Sequence, residues 1–132
     1  MQQQSPPGGG KDSYSAAAWV IGWLVFLVSG YAASVLLSSA WVDCEIGVNA
    51  GANLGDLALA STSMATVSTL LWAAMRRITG RRGLLAPLLL TIAPVVVLLW
   101  PLMAVWHAPA GYPVSTCPPD NIPPWWPNLL PL

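Results

Sequence analysis

The sequence predicts an all-α integral membrane protein with three transmembrane helices, a cytoplasmic N-terminus and an extracytoplasmic C-terminus. Its composition is 55% hydrophobic and 8% charged, which is far from that of a soluble domain. Residues 13–42, 57–75 and 83–106 contain no Asp, Glu, Lys, Arg or His. A helix needs about 20 apolar residues to cross the hydrocarbon core, so each of these stretches is long enough. Between the second and third stretches lies a cluster of arginines.

The N-terminal segment, residues 1–15, is predicted to be a disordered cytoplasmic arm. Its first 13 residues contain no apolar residue beyond Met1 and are rich in Gln, Pro and Gly. Such a segment has too little apolar surface to offset the entropy lost on ordering. The region from residue 16 to residue 106 is predicted to form the three-helix transmembrane bundle.

The first helix is predicted over residues 16–41. The small residues at 38–40 also permit a signal-peptide interpretation, but the apolar run is longer than the 7–15 residues typical of a signal peptide. Gly30, Ser34 and Ser38 recur every four residues along this helix. Small residues on one face allow another membrane helix to approach closely, so this face is predicted to be a helix-packing surface.

The second helix is predicted over residues 57–75, preceded by Gly47, Gly51 and Gly55 at the same four-residue spacing. If the helix extends back to Gly47, these glycines form a second close-packing face. That face either packs against the first helix or forms a glycine zipper between copies of the chain. The pattern does not decide between a loop and a helix for residues 47–56.

The basic cluster at residues 76–82 orients the chain. Short loops rich in Lys and Arg stay on the cytoplasmic side, so the topology-determining residues are Arg76, Arg77, Arg81 and Arg82. Trp residues favour the two membrane interfaces. Trp19 and Trp72 fall at the predicted inner boundary, whereas Trp41 and Trp106 fall at the outer one.

The third helix is predicted over residues 84–106 and contains Pro87, Pro94 and Pro101 at intervals of seven. Seven residues return an α-helix to nearly the same face. Each proline removes a backbone donor, so all three are predicted to kink the helix toward one side. The freed carbonyls either line a path or simply accompany a curved helix.

Residues 107–132 form a Pro/Trp-rich tail that cannot continue as a long helix. Its end contains four large apolar residues that are poorly suited to water: Trp125, Trp126, Leu129 and Leu130. We expect this segment to lie on the outer membrane interface or to dock in a groove of a partner protein.

Cys44 and Cys117 follow the first and third helices, on the same predicted outer side. An oxidising compartment permits a structural disulfide between them, which is the pairing we predict. A redox-active pair is the alternative, but the Cys-x-x-Cys spacing and neighbouring basic residues typical of reactive thiols are missing.

The sequence contains no recognisable catalytic, metal or cofactor motif, and the predicted spans contain no ionisable group for proton relay or intramembrane proteolysis. His107 is the only histidine.

We therefore predict a non-catalytic accessory or scaffolding subunit of a larger plasma-membrane complex. Its partners are expected to be lipid and either other membrane subunits or copies of itself, with no nucleic acid. The excess of Arg over Lys, together with much Ala, Gly and Pro, favours a bacterial protein and hence a bacterial inner membrane. The alternative is a homo-oligomeric pore built on the glycine face.

Overall fold

A computed structural model describes residues 9–47, 51–80, 83–108, 117 and 120–131 of the chain, with the backbone alone for residues 9–14, 51 and 52. The helices are α1 (Gly9–Asp43), α2 (Gly51–Thr79) and α3 (Leu85–Trp106). Each includes a stretch long and apolar enough to cross a membrane. The prediction of three such helices is confirmed.

Helix α1 begins earlier than expected. Residues 9–15, assigned from the sequence to a disordered arm, form its first turns, whereas residues 1–8 lie outside the described part of the chain. The physical reason is that no proline occurs between Pro7 and Pro87. Each residue of these first turns therefore keeps the backbone N–H that a helix uses.

Helix α1 ends in a Schellman motif. Glu45 adopts a left-handed conformation with φ of 55°. The Glu45 N–H donates to the Val42 carbonyl at 3.1 Å, and the Ile46 N–H donates to the Trp41 carbonyl at 2.7 Å. This pairing is the one expected when a left-handed residue terminates a helix. Ile46 and Trp41 are both buried, and the turn places Cys44 beside them.

Helix α2 begins six residues before the predicted start. Residues 51–56 are helical and Gly47 is not. The segment 47–56, for which the sequence did not decide between loop and helix, therefore contains both. The glycines at 47, 51 and 55 therefore do not form one continuous helical face. At the other end, Gly80 has φ of 64° and follows the last helical residue, where glycine commonly terminates helices.

The three helices run up, down and up. The indole Nε1 of Trp72 donates to the Ala18 carbonyl at 3.3 Å, and the Ser34 and Ser61 hydroxyls hydrogen-bond at 2.7 Å. Residue numbers thus rise along α1 as they fall along α2, which makes these helices antiparallel. Helix α2 packs mainly against α1 and less extensively against α3.

The two ends of the bundle differ in character. We call the end that carries Cys44 and Cys117 the cysteine end, and the end that carries Arg76 and Arg77 the arginine end. A bond from Trp41 Nε1 to the Trp106 carbonyl, at 3.1 Å, brings α1 and α3 together at the cysteine end. The buried apolar cluster lies there and comprises Leu37, Ala40, Trp41, Cys44, Ile46, Ala60, Met103 and Cys117.

Most of the apolar helix surface is uncovered. In the most apolar windows of α1, α2 and α3, only 22%, 28% and 11% of residues are buried within the chain. Helix α3 has the highest hydropathy of the three and is the least covered. An apolar surface of this extent requires an apolar environment or a protein partner.

The prolines of α3 do not act alike. Pro94 and Pro101 lie inside the helix, but Pro87 lies in its first turn and is buried. The expectation that Pro87 kinks the helix is wrong, because first-turn residues have no intrahelical acceptor for their N–H in any case. The Pro87 carbonyl instead accepts a bond from the buried Thr91 hydroxyl at 2.7 Å.

Candidate functional site

The most elaborately bonded region of the described chain is the cysteine end, where the C-terminal tail meets the helices. We define the tail platform as residues 117 and 120–131. Its anchors to the bundle include a disulfide and a set of tryptophan hydrogen bonds. The tail platform is therefore held by the chain's own helices, in addition to any contact it makes with membrane or partner.

Cys44 and Cys117 are at disulfide distance, as the sequence predicts. Their Cα atoms are 5.2 Å apart and their sulfur atoms 2.10 Å apart, so the pair forms a disulfide. Both cysteines are buried. After Cys117 the chain turns: the Asn121 N–H donates to the Cys117 carbonyl at 2.8 Å, and Asn121 has φ of 58°. Asparagine tolerates this left-handed conformation better than most residues.

Tryptophan side chains tie the rest of the tail platform to α1 and α3. Trp125 Nε1 donates to the Asp43 carboxylate at 2.6 Å, and Trp100 Nε1 donates to the Pro131 carbonyl at 2.8 Å. Trp100 lies six residues before the end of α3, so the tail returns about 9 Å along that helix. The chain therefore folds back toward the bundle centre after leaving it.

Trp126 stabilises the tail platform through contacts within the chain. Its ring packs against the buried apolar cluster, its Nε1 donates to the Leu130 carbonyl at 2.8 Å, and it meets Trp125 edge to face at 6.1 Å. Of the four residues expected to dock on a membrane or partner, Trp126 thus contacts mainly other residues of its own chain. Trp125 and Leu130 remain partly accessible, and Leu129 is 91% exposed.

His107 connects α3 to the start of the tail platform. Its Nε2 lies 3.1 Å from the Asp120 carbonyl and its Nδ1 lies 3.0 Å from the Met103 carbonyl. Within the described residues, no three His, Cys, Asp or Glu side chains are grouped in a way that suits a metal ion. The arrangement supports a structural role for His107, as a link between helix and tail.

The predicted packing residues of α1 lie in different environments. A Cβ at Gly30 would be 3.2 Å from the Ala65 Cβ and 3.4 Å from the Ser61 carbonyl, so α2 approaches closely there. Ser34 bonds to Ser61 across the same interface. The hydroxyl of Ser38 instead bonds to the Val35 carbonyl of its own helix at 3.2 Å.

Gly47 and Gly55 each have open space where a side chain would project. A Cβ at Gly47 or at Gly55 would meet nothing within 4 Å, and the side-chain position of Gly51 lies outside the described part. The prediction that Gly47 and Gly55 pack against α1 is wrong. The face of α2 that meets α1 instead includes Ser61 and Ala65.

The arginine end has a different character. Arg76 and Arg77 lie in the last turn of α2, where basic residues interact favourably with the helix dipole. The Arg76 guanidinium is 5.9 Å from the centre of the Trp72 ring. Arg81 and Arg82, also predicted to determine topology, lie outside the described residues.

A groove opens between α1 and α2 beside Arg76 and Arg77, and it was not anticipated from the sequence. Its volume is about 690 Å³. Trp19, Trp23 and Phe26 of α1 contribute to its walls. These aromatic residues recur at spacings of three and four in the sequence. That spacing is the one signal from which the shared helix face could have been predicted.

Comparison with family models, curated proteins and solved structures finds no match for this chain.

Proposed function

We propose that the chain is a multi-pass protein of the plasma membrane that acts, without catalysis, as an accessory or scaffolding subunit of a larger membrane complex. The observation that carries the proposal is the tail platform: a disulfide-anchored, non-helical segment that presents the almost fully exposed Leu129 at one end of the bundle.

The apolar helix surface supports placement in a membrane. Because so little of α1, α2 and α3 is buried within the chain, lipid is the simplest environment that covers all three helices at once. The arginine end then faces the cytoplasm and the cysteine end faces the oxidising side. This orientation agrees with the disulfide, which is stable in an oxidising compartment.

The tail platform supports the accessory role. Proline residues, the disulfide and the Trp125–Asp43 bond all restrict its conformations before any partner arrives. A pre-ordered segment loses little entropy on binding, so a modest apolar contact suffices for recognition. Leu129, next to the partly exposed Leu130, is the residue best placed to provide that contact.

The experiment is recovery of the complex from native membranes in mild detergent, through a tag on the N-terminus. We expect a stoichiometric larger partner with the wild-type chain and at least a tenfold loss of that partner with Leu129→Ser, because central apolar contacts contribute more than about 1.4 kcal/mol. The neighbouring Asn128→Ser is the matched control, since Asn128 is also exposed. Recovery of the wild-type chain alone would contradict the proposal.

A homo-oligomeric pore is the second candidate, favoured by one observation on α2. Thr62, Ser63 and Thr66 are exposed on α2, and Gly55 leaves open space on the same helix. Small and hydroxyl-bearing faces promote association between membrane helices. Conductance in planar bilayers that disappears with Gly55→Leu would support the pore, whereas silent bilayers with the purified chain would remove it.

A further inference from the structure

The groove at the arginine end combines an apolar wall with a basic rim. Its lining comprises aromatic and small residues from α1 and α2, with Arg76, Arg77 and Gly80 at one end. The wall formed by α2 and Gly80 spans the 12 residues from Thr69 to Gly80, a length of about 16 Å. The groove is therefore elongated, with apolar residues along most of its length and basic residues at one end.

The helix contact beneath the groove is well defined. A Cβ at Gly22 would be 3.3 Å from the Trp72 ring, so the glycine allows Trp72 to lie close to α1. Trp72 is 3% exposed and its Nε1 bonds to the Ala18 carbonyl. In contrast, Trp19 and Trp23 are 71% and 61% exposed. The groove thus has a fixed buried base and aromatic walls that are open to an occupant.

The charge distribution indicates what kind of occupant fits. Asp43, Glu45, Asp56 and Asp120, the acidic residues with described side chains, belong to the segments at the cysteine end. None of them lines the groove, whereas two arginines do. Guanidinium groups form strong hydrogen bonds with phosphate oxygens. An occupant with an anionic phosphate at one end and an apolar chain at the other matches the groove along its whole length.

We propose that the groove binds one anionic phospholipid, with its phosphate on Arg76 and Arg77 and the upper part of an acyl chain against Trp19 and Trp23. This inference rests on the membrane location under Proposed function. A free phosphate would leave the aromatic wall unused, and a zwitterionic lipid brings no net negative charge to the arginines. A single lipid bound here supports the arginine end of the α1–α2 pair.

The test uses the full chain in lipid nanodiscs that contain equal amounts of phosphatidylglycerol and phosphatidylcholine, followed by native mass spectrometry. We expect one retained phosphatidylglycerol per chain, about tenfold in excess over phosphatidylcholine. In Arg76→Gln/Arg77→Gln this retention should fall about tenfold, because charge-assisted bonds to phosphate are lost. Arg76→Lys/Arg77→Lys should keep most of the preference, since the positive charges remain.

A second pair of variants tests the apolar wall. Ala73 is exposed and lines the groove, whereas the neighbouring Ala74 is exposed and does not. Ala73→Phe should occupy the groove and lower lipid retention at least fivefold, and Ala74→Phe should leave it unchanged. Equal retention of the two lipids, no retained lipid, or identical behaviour of the two alanine variants would overturn the inference. Carbonate extraction of the same variants reports membrane insertion separately, so loss of the lipid site is distinguishable from failure of the proposed function.

Discussion

Gly30 and Gly55 show how one residue type has different effects at two positions of the bundle. At Gly30 an added Cβ would meet the Ala65 side chain and the Ser61 backbone, whereas at Gly55 it would meet nothing within 4 Å. Both glycines belong to four-residue repeats in the sequence. The repeat alone therefore does not identify a helix contact, because it carries no information on the rotation of the neighbouring helix.

The first prediction compares leucine at these two glycines. Gly30→Leu should lower the free energy of unfolding by about 1–3 kcal/mol, because backbone and Cβ atoms of α2 cannot move aside without separating the helices. Gly55→Leu should raise it by up to about 1 kcal/mol, because leucine has the higher helix propensity and the site is open. Denaturation in mixed micelles, followed by circular dichroism, measures both. Similar losses in the two variants would contradict the packing described for α1 and α2.

The hydroxyl groups of α1 and α2 likewise show that the sequence alone does not reveal which side chains meet across a helix interface. The sequence identified Ser34 as small and polar, but its partner across the interface, Ser61, became apparent only in the folded chain. Most other described hydroxyls in α2 bond to carbonyls of their own helix, including Thr62, Thr66 and Ser68. Such bonds satisfy the hydroxyl within an apolar helix and need no partner.

At the scale of the element, helix positions were the most predictable property of the chain. The apolar runs located all three helices, since hydropathy and length are local quantities. The boundaries were less accurate, because α1 and α2 extend beyond the uncharged runs into polar sequence. Hydropathy reports where a helix is apolar and not where its backbone hydrogen bonds end.

The second prediction concerns the orientation of α2 and α3, which we attribute to the arginines at 76–82. Replacing all four by Gln should remove the charge bias that we propose holds this loop in the cytoplasm, and should produce a mixed population of orientations. The measurement is labelling of Leu84→Cys by an impermeant maleimide in intact cells, in a chain with Cys44→Ser and Cys117→Ser. We expect no labelling when the arginines are present and clear labelling without them.

The control for this experiment is Leu129→Cys in the same cysteine-free chain, which should be labelled from outside when the arginines are present. Leu129 is 91% exposed, so no other part of the described chain shields it from the reagent. Labelling of Leu84→Cys in the chain with all four arginines would show that the orientation is the reverse of the one proposed.

At the scale of the whole molecule, the tail platform joins segments that are distant in sequence. The disulfide connects residues 73 positions apart, and the Trp125–Asp43 bond connects residues 82 positions apart. Together with the Trp100–Pro131 bond, these contacts attach the tail to both α1 and α3. The cysteine end is consequently the part of the described chain where a single change affects several elements.

The third prediction is the effect of removing the disulfide. Cys44→Ser/Cys117→Ser should lower the free energy of unfolding by about 4 kcal/mol in the loop-entropy model, because the unfolded chain is no longer closed into a long loop. Limited proteolysis should then cleave the tail faster than in the oxidised wild type, while the helices remain resistant. The wild-type cysteines should react with maleimide only after reduction. Reaction without reduction would disprove the disulfide.

The sequence by itself determined the all-helical class, the number of long apolar helices and the pairing of the two cysteines. These follow from local composition and from the presence of only two cysteines. Only the tertiary structure decided that Gly30 is a contact and Gly55 is not, that Trp126 packs within the chain, and that a groove adjoins Arg77. The physical reason is that each depends on how far apart two helices lie and how each is rotated, and side chains distant in sequence set both together.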